Sequence, residues 1–211
     1  MKGLFISFEG NDGSGKSSAL QNVLKTLKEL NYDVIYSREP GGSPIAEKIR
    51  ELILDPSNLG MDERTEALLY AASRREHLKK TILPALEKGQ IILCDRFLDS
   101  SLAYQGYSRG IGIDEVYQMN QFATEGLLPD LTIFVCVRPE IGMSRIKKDA
   151  RELDRLEMEK MEFHQRVYQG YLTVQNKFAS RIVLIDGEQS KEQVLNDVLN
   201  IVLTFIKEHQ E

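Results

Sequence analysis

Five short apolar runs recur along the chain, at Leu4–Glu9, Val34–Arg38, Ile91–Asp95, Leu131–Val137 and Ile182–Asp186. Most are near-continuous rather than alternating, the pattern of parallel strands covered on both faces. Between them the apolar positions fall at a helical period. Ser18–Leu27 puts Leu20, Val23, Leu24 and Leu27 on one face. Asp62–Lys88 is the longest helical stretch, with Pro84 as the place for a kink or break. Ile113–Thr124, Pro139–Asp149, Glu157–Lys177 and Lys191–Lys207 follow. Strand and helix in alternation predict right-handed β-α-β crossovers, and so an α/β fold with a five-stranded parallel sheet flanked by helices in three layers. Ligands of such sheets bind beyond the carboxyl ends of the strands. Three of these strands end in a charged residue with motif character, namely Glu9, Arg38 and Asp95. No linker, repeat or low-complexity tract divides residues 1–211, so one domain is expected.

The chemistry concentrates between the first strand and the first helix. Gly10-Asn11-Asp12-Gly13-Ser14-Gly15-Lys16-Ser17 fits G-x-x-x-x-G-K-[ST], and Ser18 opens the apolar helical pattern. Strand, glycine loop and helix are the context of a phosphate-binding loop, and of the P-loop NTPase fold. Gly10, Gly13 and Gly15 permit positive φ and close backbone approach. The loop N–H groups and the helix N-terminus make an anion cradle for a nucleoside triphosphate such as ATP. Lys16 reaches the β- and γ-phosphates, and the Ser17 hydroxyl suits Mg²⁺.

Composition narrows the class. At 211 residues the chain is long enough for a full core. Asp plus Glu number 32 against 27 Lys plus Arg, a net charge of −5, which argues against a general nucleic-acid or membrane-surface binder. The basic residues of a phosphate site must therefore be gathered by the fold. Cys94 and Cys136 sit in apolar runs without a C-x-x-C or Cys/His cluster, as small core residues in a reducing cytoplasm would. The chain starts directly on a strand pattern, with no signal-peptide pattern before it. No apolar run approaches the ~18 residues of a membrane span.

Other constellations follow the strands. Asp95 ends the third strand, where it suits a water-bridged Mg²⁺ or a cap on the next helix. Arg96 beside it is a natural phosphate ligand. Arg38 precedes the turn Glu39-Pro40-Gly41-Gly42, and Arg50 follows on a helix. Tyr70 and Arg74, four apart, share a helix face, which suits base stacking plus donation to a carbonyl, or equally a core Tyr and a surface Arg. Ser100–Gly106 adds Ser101, Tyr104 and Gln105 after Asp95. The charged run from Lys147 to Glu157 reads as a solvated connection or as a lid over the phosphates. His77, His164 and His209 show no pairing and receive no role.

Taken in order, Phe8-Glu9-Gly10, Gly15-Lys16-Ser17, Arg38–Gly42, Ala72–Arg75, Asp95-Arg96 and Ser101–Gly106 resemble the bacterial type of thymidylate kinase over residues 4 to about 186. The resemblance implies transfer of phosphate from ATP to dTMP in the dTTP pathway, with Mg²⁺, by a cytoplasmic homodimer. It implies that Asp12 contacts the 3′-hydroxyl, that Arg38, Arg50 and Arg96 hold the acceptor phosphate, and that Tyr70 stacks on thymine. It further implies that Arg74 reads O4, that Ser101 and Gln105 complete base recognition, and that Tyr104 packs near C2′. Some relatives carry a catalytic arginine in the loop where this chain has Gly13. That moves the transition-state arginine into a lid at about residues 143–157, with Arg151 first and Lys147, Lys148 and Arg155 behind it. Another nucleoside monophosphate kinase is the nearest alternative. A GTPase switch would need an N-K-x-D motif, and Asn176-Lys-Phe-Ala179 lacks the acid.

Overall fold

The computed structural model describes residues 3–148 and 153–210. Its centre is a five-stranded sheet in the order β2-β3-β1-β4-β5. These strands are β1 (Leu4–Glu9), β2 (Val34–Arg38), β3 (Ile91–Asp95), β4 (Leu131–Cys136) and β5 (Ile182–Asp186). All pairs are parallel, with Leu4 opposite Ile91 and Glu9 opposite Phe134 on the two sides of β1. Every β1 residue is buried, which explains its unbroken apolar run. Leu4, Ile6 and Phe8 face α1 (Lys16–Glu29) and α9 (Lys191–Gln210), meeting Leu20, Val23, Leu24, Val198 and Val202. Phe5 faces the other way, edge-on to Phe97 at 4.9 Å between ring centroids. That second layer is built on Ile92, Leu78, Ile82, Val167 and Tyr171.

The remaining helices are α2 (Pro44–Leu54), α3 (Glu63–His77), α4 (Leu83–Glu87), α5 (Leu98–Ser101), α6 (Ile113–Thr124), α7 (Pro139–Lys148) and α8 (Met161–Lys177). Several features depart from the sequence expectation. The stretch expected as Asp62–Lys88 is divided by a π-helical turn at Leu78–Ile82. Pro84 cannot donate to the Lys80 carbonyl and its ring would strike it, and the wider turn just before Pro84 absorbs that mismatch. A second π-helical segment, Leu102–Ser108, carries Tyr104 and Gln105. Helix α8 begins at Met161 rather than Glu157, because the Asp154 carboxylate accepts from the N–H groups of Leu156 and Glu157, both at 2.9 Å, and closes a turn. Asp149, expected to end α7, lies outside the described residues.

The rear of the charged run is not a solvated connection, although Lys147 and Lys148 at its front are exposed. Arg155 is 2 % exposed and Glu157 5 %. Arg155 donates from Nε to the Ile53 carbonyl at 2.7 Å and from NH2 to the Glu66 carboxylate at 2.6 Å. The rear of this segment is thus docked between α2 and α3. A fully buried Glu66 requires such partners, since an unpaired carboxylate there would be costly. It also receives Arg109 at 3.1 Å.

Candidate active site

Beyond the carboxyl ends of β1, β2 and β3 lies a cavity of about 290 Å³. The glycine loop forms one wall. Gly10, Gly13 and Gly15 have φ of 149°, 73° and 94°, the values the motif requires. Helix α1 starts at Lys16, two residues earlier than the apolar pattern indicates, so the Lys16 and Ser17 N–H groups belong to its first turn. Ser18 is exposed on α1. The loop is locked from behind by Arg145 of α7, which donates to the carbonyls of Gly13, Ser14 and Gly187 at 3.3, 3.4 and 3.1 Å. A Cβ on Gly13 would lie 2.1 Å from the Gly142 carbonyl, so loop and helix meet backbone to backbone. Asn11 Oδ1 and Ser14 Oγ are buried without a hydrogen-bond partner among the described residues.

Ser17 Oγ donates to Asp95 Oδ2 at 2.7 Å across the gap between loop and β3. Asp95 therefore faces the loop and does not cap α5. A hydroxyl and a carboxylate are the hard oxygen donors that suit Mg²⁺, which takes few protein ligands beside waters and phosphates. Lys16 is buried. Burial, with Arg96 adding to it, lowers its ammonium from the usual value, while Asp95, Asp12 and Glu9 oppose the shift.

Arg96 is the hub of the opposite wall. It is a non-glycine residue at φ 68°, held there by its own side-chain bonds. It is ion-paired with Asp12 and donates to Tyr171 at 2.8 Å, to Ser100 at 3.3 Å and to Tyr104 at 3.3 Å. Burial alone would lower its guanidinium, but Tyr104, Tyr171 and Asp12 outweigh burial and raise it. For Asp12, burial pushes upward, and Arg96, Lys16 and the Tyr104 hydroxyl prevail and lower it. Below this hub lies Glu9, which accepts from the Phe97 N–H at 2.7 Å, Ser100 Oγ at 2.5 Å and Tyr171 at 3.0 Å. Burial and then the nearby Asp99 raise its carboxyl to about 7 against the pull of Arg96.

Arg38, Arg50, Tyr70, Arg74, Tyr104 and Gln105 all line the same cavity. Arg38 pairs with Glu47 at 2.9 Å, and Arg50 donates to the Pro40 carbonyl at 2.9 Å. Arg74 is not a surface residue. It is 1 % exposed and donates to Glu39 at 2.8 Å, Asn120 at 2.5 Å, the Phe97 carbonyl at 3.1 Å and Ser101 Oγ at 3.1 Å. Ser101 thus supports Arg74. Gln105 Nε2 donates to Glu66 at 2.9 Å, leaving Oε1 buried and without a partner among the described residues. Arg151 lies outside the described residues. Lys147 and Lys148 are exposed on α7, and Arg155 is committed to Glu66.

The sequence passed over Glu39, Glu66, His77, Asn120, Arg145 and Tyr171. Glu39 stood inside a motif but read as part of a turn. The others lie in helical patterns where a polar residue ordinarily faces water, and only packing reveals them as buried partners.

A glycine loop after β1, a hydroxyl–carboxylate pair spanning to the neighbouring strand and arginines above the sheet's carboxyl edge define a P-loop α/β nucleotide-binding protein. Residues 8–198 match the family model described as thymidylate kinase. The thymidylate kinase of Bacillus licheniformis is 54% identical over 211 residues, covering 100% of each chain. That of Pediococcus pentosaceus is 53% identical over 204 residues, covering 96% of this chain and 98% of its own. The crystal structure of thymidylate kinase from Ehrlichia chaffeensis superposes with a TM-score of 0.77 at 32% identity, covering 96% of this chain and 99% of that one. The chain belongs to the thymidylate kinase family.

Proposed function

We propose that this chain transfers the γ-phosphoryl group of ATP to dTMP, giving ADP and dTDP on the route to dTTP. The observation that carries the acceptor's identity is a matched pair of unused groups. Arg74 has five N–H donors. Four are spent, on Glu39, Asn120, Phe97 and Ser101, and one on NH1 has no partner among the described residues. Gln105 Oε1 is a buried acceptor with no donor among the described residues. A donor and an acceptor in one cavity fit thymine, which offers O4 beside N3–H. Cytosine inverts the pattern and would leave buried polar groups unpaired, which is strongly discriminating.

In this reading Tyr70 stacks on the base. Arg38, Arg50 and Arg96 hold the acceptor phosphate, Asp12 takes the 3′-hydroxyl, and Tyr104 closes the space at C2′. The Gly10–Ser18 segment cradles ATP with Lys16 on its β- and γ-phosphates. An acceptor phosphate oxygen bonds to the γ-phosphorus as its bond to the β-bridging oxygen breaks, and the electron pair leaves on ADP. The chain's task is alignment and charge neutralisation. Lys16 and Arg96 converge on the gap from opposite walls. Ser17 and Asp95 would hold Mg²⁺, which when bound supplies further neutralisation of the phosphate oxygens. Arg151 is assigned the developing charge, which the commitment of Arg155 to Glu66 favours. The chain acts as one domain with a lid at about 143–157.

A homodimer is part of the same proposal. Helices α3 and α6 pack side by side, and they expose Leu68 at 58% and Phe122 at 92%. A cytoplasmic setting accords with the two free cysteines, Cys94 and Cys136.

The test is ADP release with ATP and Mg²⁺ across a panel of nucleoside monophosphates. Turnover with dTMP, less with dUMP, and none with dCMP, AMP or GMP is the expected result. Turnover confined to AMP or GMP would replace the acceptor assignment and keep the P-loop kinase.

A further inference from the structure

The turn after β2 is gripped by one stripe of α3 and its π-helical extension. Ser73 Oγ accepts from the Gly41 N–H at 3.1 Å, and Thr81 Oγ1 donates to the Gly42 carbonyl at 2.7 Å. Between them Arg74 and His77 bind opposite oxygens of Glu39. Arg74 Nε lies 2.8 Å from Oε2 and His77 Nδ1 lies 2.9 Å from Oε1. The other ring nitrogen of His77, Nε2, is 2.5 Å from Ser37 Oγ on β2. His77 is fully buried, and the backbone at Gly42 is pressed against it so closely that a Cβ there would lie 2.4 Å from the ring.

The order serine, histidine, carboxylate is that of a hydrolase triad. Neither Ser37 nor His77 lines the cavity, however, and Ser37 is 6 % exposed, so no substrate reaches the hydroxyl. The chain of contacts runs instead toward Arg74. A carboxylate tied at one oxygen can pivot about that bond. Tied at both, it is a fixed acceptor, and it fixes the plane of the guanidinium that donates to it.

We propose that His77, acting through Glu39, is the positioning residue that holds Arg74 in the orientation that reads a 4-keto pyrimidine, so that the buried Ser37–His77–Glu39–Arg74 chain is a determinant of base selectivity. This rests on the dTMP kinase reading above. His77 itself touches no substrate, so its loss acts on acceptor recognition rather than on phosphoryl transfer.

The experiment compares wild type with His77→Leu, His77→Asn and His77→Gln, each checked for folding by circular dichroism and thermal unfolding. Steady-state constants are measured with ATP against dTMP and dCMP. Asparagine places an N–H where Nδ1–H points, toward Glu39. Glutamine places one where Nε2 points, toward Ser37. The expected result for His77→Leu is a KM for dTMP raised about tenfold, kcat within about twofold, and a dTMP-to-dCMP ratio of kcat/KM lowered about tenfold, the scale of one weakened charge-assisted hydrogen bond. His77→Asn recovers most of the ratio, and His77→Gln behaves as His77→Leu. Should His77→Leu fail to fold, the contrast between the Asn and Gln variants decides alone. A folded His77→Gln with wild-type KM and wild-type ratio overturns the proposal, as does an Asn variant no more selective than Gln. Wild-type protein without dTMP turnover in the same assay would instead overturn the underlying reaction.

Discussion

Lys16 is a cation in a place that disfavours one. Burial and the neighbouring Arg96 depress its ammonium, so the cradle is electrostatically incomplete until an anion arrives. Lys16→Met is expected to fold with unchanged circular dichroism and to lose at least about a hundredfold in kcat with dTMP and ATP, the scale of a lost preorganised donor. Retained turnover would remove the loop from the reaction. Glu9 makes the opposite case. Its carboxyl is raised to about 7 from 4.5, chiefly by burial. The folded state therefore binds a proton that the unfolded state releases above about 4.5, so this group's contribution favours folding at low pH and is lost as pH rises toward 7. Melting temperatures taken from pH 5 to 8 are expected to fall less for Glu9→Gln than for wild type, and parallel curves would contradict the assignment. Lys16 and Ser17 were legible in sequence because their spacing is a local signature, and Asp95 and Arg96 because they stand at the end of an apolar strand run. Glu9, Glu39 and His77 were not, because a charged residue's burial is decided by strands and helices distant in the chain.

At the scale of elements, the extended helical stretch after Asp62 was legible as a period but not as a hinge of two helical pitches. Pro84 located the break. The consequence, that Thr81 reaches Gly42, required the three-dimensional turn. The grip of α3 on the turn after β2 gives a sharp expectation for Gly42→Ala. At φ 83° and with the His77 ring in the way, the substitution meets both strain and overlap. A loss of about 2–3 kcal/mol is expected, lowering the melting temperature by roughly 5–10 °C. A shift near zero would show that the turn is free to move off α3. Gln105 stood out in sequence as part of a motif, whereas the charged segment offered only a choice between a solvated connection and a lid. Its mooring by Arg155 to Glu66 depended on α2 and α3 closing around it.

For the molecule as a whole, five strands in the expected places are enough to set the topology, since continuous apolar runs separated by helices admit few parallel arrangements. The assembly is a separate matter. Phe122→Asp on α6 is expected to turn a dimer into a monomer in multi-angle light scattering, because an exposed phenylalanine of this size is characteristic of a buried contact between copies. An unchanged mass would place any contact elsewhere. The fold also explains why so many arginines coexist with a net charge of −5. Those that line the cavity, Arg38, Arg50, Arg74 and Arg96, are each paired or hydrogen-bonded, so the basic site is made by arrangement rather than by composition.

The strand order β2-β3-β1-β4-β5 has one more consequence. The arginines and aromatic residues that line the cavity and are proposed to read the acceptor lie on the β2–β3 side, within residues 38–105, whereas Arg145 and the Gly187 carbonyl brace the glycine loop from the β4–β5 side. The seam between the two runs along β1. In the proposed function, recognition of the base and delivery of the phosphate are therefore carried by separate stretches of one chain, much as a jig and a tool share a single bench. Exchange of the first stretch among relatives is a route to new acceptors that leaves the machinery for handling ATP in place.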